Sequence, residues 1–159
     1  MTDSAIKYIA HRGNISGKQP TFENKDEYLK HAYYECGHDI ELDICMHRGI
    51  LYYGHDDCQE PADTNFIQSP GVFCHAKDFD ALTELLNMRT NCFWHQQDSV
   101  TLTSQNYIWC FPGNYIMNKK AIWIDLEGMN IPLPDQVPNS IYGYCGDKLN
   151  ENINIRTTR

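Results

Sequence analysis

Short apolar runs rich in β-branched and aromatic residues recur along the chain, at Ile6–Ala10, Asp39–Cys45, Ile50–Gly54, Val72–Ala76, Asn91–His95, Tyr107–Phe111, Ala121–Asp125 and Ile141–Tyr144. They are four to seven residues long and mostly bounded by Gly, Pro, Asn or Asp, so the pattern predicts strands. Helical periodicity is confined to two segments. Asn24–Cys36 opens with Asn24 and carries Glu27 three residues on, a capping-box pattern, and stops at Gly37. Asp78–Met88 places Phe79, Leu82, Leu85 and Leu86 on one face, which predicts burial of all four against a sheet. The first half therefore reads β-α-β-hairpin-β-α-β, which favours a parallel sheet. Beyond Asn91 the connections lose helical periodicity: Gln96–Gln105 is polar and Asn130–Asn139 holds Pro132, Pro134 and Pro138, so both read as loops. The polar tail Asn150–Arg159 is expected to fray.

No repeat or linker divides the 159 residues, so residues 1–159 are expected to form one domain. The net charge of −8 argues against nucleic acid or anionic lipid as a partner, since both need clustered cations. No apolar run approaches the ~18 residues of a membrane span, and MTDSAIKYIAHRG lacks the basic and apolar segments of a signal peptide. Seven cysteines without a C-x-x-C pair make a poor disulfide or zinc framework. Reduced thiols and a cytoplasmic setting are the expectation.

Chemistry gathers at the predicted C-terminal ends of strands, where parallel α/β folds build their sites. The first strand ends in His11-Arg12-Gly13. The second carries Glu41 and Asp43 at i and i+2, two carboxylates on one strand face, a spacing suited to one hard divalent cation. The hairpin ends in His55-Asp56, and the next strand carries His75 and Lys77, again at i and i+2. Singly, each of these fits a solvated or hydrogen-bonded surface residue; their joint placement predicts a site. The segment FWHQQDSVTLTSQNYIWCFPG (93–113) offers His95 and Trp109 either as substrate contacts with an aromatic wall for a sugar or polyol, or as core filling beside a solvated turn. Asp125 and Glu127 stand in reserve as acidic ligands, ranked below His75.

The series HRG at 11–13, PTFEN at 20–24, GHDIELDI at 37–44, an RG turn at 48–49 and GHD at 54–56 resembles the glycerophosphodiester phosphodiesterase family, within the phospholipase-C-like phosphodiesterase superfamily. The likeness covers about the first third of the chain and continues in GVFCHAK at 71–77, where His75 stands in place of the family's Glu, and in GYCGD at 143–147. This resemblance implies a short, divergent TIM-type barrel and a metal-dependent hydrolase of a small glycerol- or polyol-linked phosphodiester. It implies His11 and His55 as general acid and base, Glu41 and Asp43 as metal ligands, Glu23 and Asn24 lining the pocket, and Arg12 and Lys77 on the phosphate oxygens. Mg²⁺ or Ca²⁺ is the expected ion. An imidazole at 75 admits Mn²⁺ or Zn²⁺, or binds phosphate instead. Two alternatives stand beside this: a noncatalytic protein that binds a phosphorylated ligand, and a phosphomonoesterase or cyclic-phosphate-forming lyase on the same site.

Length bears on that expectation. A full (β/α)8 barrel takes ~250 residues, and 159 leaves about 20 per unit. The expected fold is thus a reduced barrel of seven or eight mostly parallel strands, with several helices replaced by loops in the second half. Its uncovered apolar faces would be buried in a homo-oligomer.

Overall fold

A computed structural model of the chain describes residues 5–126 and 138–149. Ten strands form one mixed sheet: β1 (Lys7–His11), β2 (Asp39–His47), β3 (Ile50–Tyr53), β4 (Glu60–Pro61), β5 (Val72–Ala76), β6 (Cys92–Phe93), β7 (Val100–Leu102), β8 (Ile108–Cys110), β9 (Ala121–Asp125) and β10 (Gly143–Gly146). The sheet runs β4-β3-β2-β1-β10-β9-β8-β7, with β5 also paired to β2 and β6 paired to β5. Pairings between β1 and β2, β2 and β5, β5 and β6, β1 and β10, β10 and β9, and β9 and β8 are parallel. Those of β3 with β2, β4 with β3, and β7 with β8 are antiparallel.

The reduced TIM-type barrel is therefore corrected to a mixed sheet with two short helices, α1 (Asp26–Lys30) and α2 (Phe79–Asn87). Two physical features separate it from a barrel. Three strands are hairpin additions, because short polar turns can return a chain only antiparallel. And β6 is flanked by a side chain and loop backbone: the Ser104 N–H donates to the Cys92 carbonyl at 2.8 Å while Ser104 Oγ accepts from the Cys92 N–H at 3.0 Å. Among the described residues β6 pairs only with β5, so the sheet does not close.

All eight apolar runs contain strand; β7 arises in a segment read as loop, and β4 in one to which the pattern assigned no element. The capping box at Asn24 does not form. Helix α1 starts after Lys25 without a side-chain cap and passes into a π-helical turn at His31–Glu35. Asn24, at φ 57°, instead turns its amide to Asp43. Helix α2 is capped by Asp78, whose side chain accepts from the Ala81 N–H at 2.7 Å. Its buried face is Ala81 and Leu85, while Phe79 and Leu86 are exposed, so the expected four-residue stripe is only partly covered.

A larger apolar core includes Leu29, Ile40, Leu42, Ile44, Ile67, Leu85 and Tyr144, and a smaller one gathers Ile9, Phe73, Phe93, Trp109, Ile122, Ile124 and Cys145 on the other face of the sheet. Cys45 and Cys58, expected as free thiols, form a disulfide. The β2–β3 hairpin carries residue 58 back alongside strand β2, a proximity that a separation of 13 in sequence does not advertise. Disulfides persist in oxidising surroundings, so the thiol argument for a cytoplasmic setting falls away. Cys36, Cys74, Cys92, Cys110 and Cys145 are free. No helix among the described residues is long and apolar enough to cross a membrane. The expected frayed tail 150–159, and Glu127, lie outside the described residues.

Candidate active site

Side chains two residues apart on a strand share a face, and the parallel register aligns these faces from strand to strand. Ile9, Phe73, Phe93 and Cys145 belong to the smaller core. Two residues further along each chain stand His11, His75, His95 and Asp147. On β2 the same alternation yields Glu41 and Asp43; His11 lies opposite Glu41, and Asp43 opposite His75. An apolar floor thus carries a ring of polar groups above it. Water is excluded from below, which strengthens the electrostatics of every group in the ring.

The two carboxylates are buried: Glu41 is 2% exposed and Asp43 fully enclosed. Asn24 clamps Asp43 at two points, donating from Nδ2 to Oδ2 at 2.9 Å and accepting the Asp43 N–H on Oδ1 at 3.0 Å. Arg12 Nε lies 3.0 Å from Asp43 Oδ2, and its Nη1 lies 3.3 Å from Glu23 Oε2. Lys77 Nζ is 3.8 Å from Asp43 Oδ1. His75 places Nδ1 3.3 Å from Asp43 Oδ1 and 3.9 Å from Glu41 Oε1, its ring stacked on Phe93 at 4.8 Å.

These surroundings drive the two acids apart. Burial opposes ionisation of Asp43, but the close approach of His75 Nδ1 and the charges of Arg12, His75 and Lys77 outweigh it and hold the carboxyl well below the usual range. Burial and the neighbouring Asp43 charge push Glu41 up. His11 Nδ1 lies 2.8 Å from Asp147 Oδ1, and Nε2 is 3.7 Å from Glu41 Oε2. Burial works against a charged His11, yet the Asp147 bond and the Glu41 charge prevail and raise its pKa. His55 is lowered, chiefly by burial, and its Nδ1 lies 2.8 Å from Asp56 Oδ1.

A metal ion fits this donor set. One ligand atom each from Glu41, Asp43 and His75 lie within 4.8 Å of one another. Glu41 Oε2 and Asp43 Oδ1 are buried without a hydrogen-bond partner among the described residues. His11 Nε2 at 3.7 Å from Glu41 Oε2, and His75 Nδ1 at 3.3 Å and Lys77 Nζ at 3.8 Å from Asp43 Oδ1, offset part of the cost of burying them so, and a cation shared by the two carboxylates would offset more. Carboxylates with one imidazole suit Mg²⁺ or Mn²⁺, and admit Zn²⁺.

His11, Arg12 and His55 line two adjoining cavities. One, of about 250 Å³, is also bordered by Glu41, His75, Lys77, His95, Trp109 and Phe111. The other, of about 430 Å³, is bordered by Lys18, Glu23, Asn24, Asp56 and Gln59. Of the eleven candidate site residues, ten line one or other of these adjoining cavities, and Asp43 lies buried behind them against Asn24 and Arg12. Trp109 fills core, 6% exposed and stacked on Phe93 at 4.6 Å, and its remaining surface lines the cavity. Asp125 pairs with the Tyr144 hydroxyl rather than joining the cluster of Glu41, Asp43 and His75.

Sequence reasoning missed Asp147, Asn14 and Tyr28. Asn14 Nδ2 donates to Asp147 Oδ1 at 2.8 Å and to Glu23 Oε1 at 2.9 Å, and the Tyr28 hydroxyl donates to Asn14 Oδ1 at 3.2 Å. The signal for Asp147 lay in GYCGD, where it follows Cys145 with the same two-residue step that sets His11 after Ile9. Asn14 and Tyr28 had no such signal. Gly54 explains the placement of His55: at φ 151° it lies where a Cβ would meet the Asp57 carbonyl at 1.8 Å. Comparison of the chain with protein-family models, curated proteins and solved structures finds no match.

Proposed function

We propose that this protein is a metal-dependent phosphodiesterase acting on a small glycerol- or polyol-linked diester, with His11 and His55 as its acid–base pair. The observation that carries this reading is the buried Glu41–Asp43–His75 cluster with unsatisfied carboxylate oxygens, set in one cleft with two histidines and two cations. The resemblance of the HRG, EN, E-x-D and HD segments to glycerophosphodiester phosphodiesterases supports it.

Cleavage of a phosphodiester needs a proton taken from the attacking hydroxyl, a proton given to the leaving oxygen, and charge neutralised on the phosphoryl group. Glu41, Asp43 and His75 would hold a divalent cation, Mg²⁺ by preference, which supplies neutralisation of phosphoryl oxygen charge. Lys77 and Arg12, both lining the 250 Å³ cavity, add positive charge there. Asp147 fixes the His11 ring through Nδ1 and so leaves Nε2 for proton transfer. His55 borders both cavities and can exchange a proton with a group lodged in either. A diester placed across the two cavities has its phosphorus beside His11, Arg12 and His55, with one alcohol arm in each.

The test is turnover of a glycerophosphodiester with Mg²⁺, followed by phosphorus NMR, for the wild type, His11→Ala and His55→Ala. Each substitution should lower the rate by about 10²-fold or more, the usual worth of a positioned acid or base. Unchanged turnover in either variant overturns the assignment. Binding without any product supports a noncatalytic ligand-binding protein instead.

A further inference from the structure

The 250 Å³ cavity is smaller than a drug-sized pocket and its outer wall is largely apolar, formed by Trp109, Phe111, Pro112, Ile124 and Leu126. Two polar side chains lining the cavity, His95 and the exposed Gln96, have no job in the acid–base or metal chemistry, and of these His95 is the more buried. His95 leaves only 10% of its side chain exposed. Its Nδ1 and Nε2 are both buried without a hydrogen-bond partner among the described residues. The nearest carboxylate, on the exposed Asp98, stands 3.8 Å from Nδ1, beyond hydrogen-bond reach. Its ring is packed 5.4 Å from Phe111 and 6.3 Å from His75, and its backbone carbonyl rather than its ring faces His75 Nε2 at 3.4 Å.

Native proteins satisfy buried polar groups, so two unmade bonds on one ring in a cavity wall point to a ligand that makes them. A neutral imidazole offers one donor and one acceptor, the complement of a hydroxyl, which is both. Aromatic faces beside it suit the C–H faces of a polyol or sugar. Resting on the phosphodiesterase reading above, we infer that this cavity seats one alcohol arm of the diester and that His95 selects an arm carrying a free hydroxyl. His95 is then a specificity residue and takes no part in bond cleavage.

The inference is tested with two anions that share one charge and one P–C bond, 2,3-dihydroxypropyl methylphosphonate and propyl methylphosphonate, with phosphorus NMR confirming that neither ester is cleaved during the titration. Calorimetry with the Mg²⁺-loaded protein should show the dihydroxypropyl ester bound roughly tenfold more tightly, the return on one net hydrogen bond to a buried site. His95→Phe should abolish that preference with little change for the propyl ester, and His95→Gln, which keeps a donor and an acceptor, should retain part of it. Melting curves identify a variant that fails to fold, and the Gln variant then carries the comparison. Equal affinity of the wild type for the two esters, or a preference that survives His95→Phe, overturns the role of His95; so does failure to bind either ester. Turnover of a glycerophosphodiester by the same wild-type sample is read separately, so cleavage without a hydroxyl preference removes His95 and leaves the phosphodiesterase reading standing.

Discussion

Replacing Asp147 with Asn should uncouple the His11 ring from its charge without emptying its position. In the native protein Asp147 Oδ1 lies 2.8 Å from both His11 Nδ1 and Asn14 Nδ2, and the carboxylate is 1% exposed. Asn keeps an acceptor oxygen of the same reach but removes the charge. Hydrogen bonds to a charged group contribute about 1.5–3 kcal/mol and neutral ones about 0.5–1.5, so the variant should lose about 1–2 kcal/mol at pH 6. The pH dependence follows from linkage. The folded-state pKa of His11 is raised above its ordinary 6.5 by Asp147 and Glu41, against the opposing effect of burial. Stability from the His11 proton is therefore full below about pH 6.5 and is lost as pH rises through the higher folded-state value. In Asp147→Asn that decline should shrink, leaving the contribution of Glu41. Urea denaturation at pH 5.5, 7 and 8.5, with histidine NMR titration of both proteins, measures both effects. An unchanged His11 titration, or equal stability of the two proteins at every pH, would refute the reasoning.

Four further outcomes follow from other parts of the structure. Gly54→Ala should cost about 1–3 kcal/mol in thermal unfolding, because its Cβ would meet the Asp57 carbonyl at 1.8 Å and residue 54 sits at φ 151°; it should also impair turnover by displacing His55. Burial pushes the Asp39 carboxyl from 3.8 to about 6, so the unfolded chain releases this proton first and stability falls between about pH 4 and pH 6. Asp39→Asn should remove that fall and gain about 1–2 kcal/mol at pH 7 after allowance for solvent screening, read by denaturation across the range. Reducing the Cys45–Cys58 disulfide, which joins residues 13 apart, should lower stability by about 2–3 kcal/mol, and alkylation before and after reduction should differ by two thiols. Glu41→Gln with Asp43→Asn should abolish Mn²⁺ binding in calorimetry, whereas retained binding would move the metal elsewhere.

The site was more legible in the sequence than the fold. Glu41, Asp43, His75 and Lys77 sit at strand spacing, and two-residue alternation alone sets them on one face once the strands pair in parallel. His11 and His55 follow short apolar runs directly, so locating the strands located them. Asp147 shows the limit: the two-residue step after Cys145 sets it on the site's face, but no local pattern records its contacts with His11 and Asn14, more than 130 positions away. The architecture failed for a related reason. Strand runs report that a segment is extended but not its neighbour, so nothing local distinguished a closed barrel from a sheet whose β6 is flanked by Ser104. Helix propensity misled at Asn24, where a local capping pattern lost to two hydrogen bonds with buried Asp43. On α2 the apolar stripe was real, yet Phe79 stacks on Trp94 at 4.8 Å near the surface rather than entering the core.

The central claim, that the Glu41–Asp43–His75 cluster and the His11–His55 pair form a metal-dependent phosphodiesterase site, is tested most directly by one phosphorus NMR screen. A panel of glycerol-, polyol- and alkyl-linked phosphodiesters is incubated with the wild type and with His11→Ala, each in Mg²⁺, Ca²⁺, Mn²⁺, Zn²⁺ or a chelator. The account predicts cleavage of a glycerol- or polyol-linked diester by the wild type, dependent on added metal and lost in the variant. No product from any diester with any of the four ions, or product that persists in chelator or in His11→Ala, would contradict it.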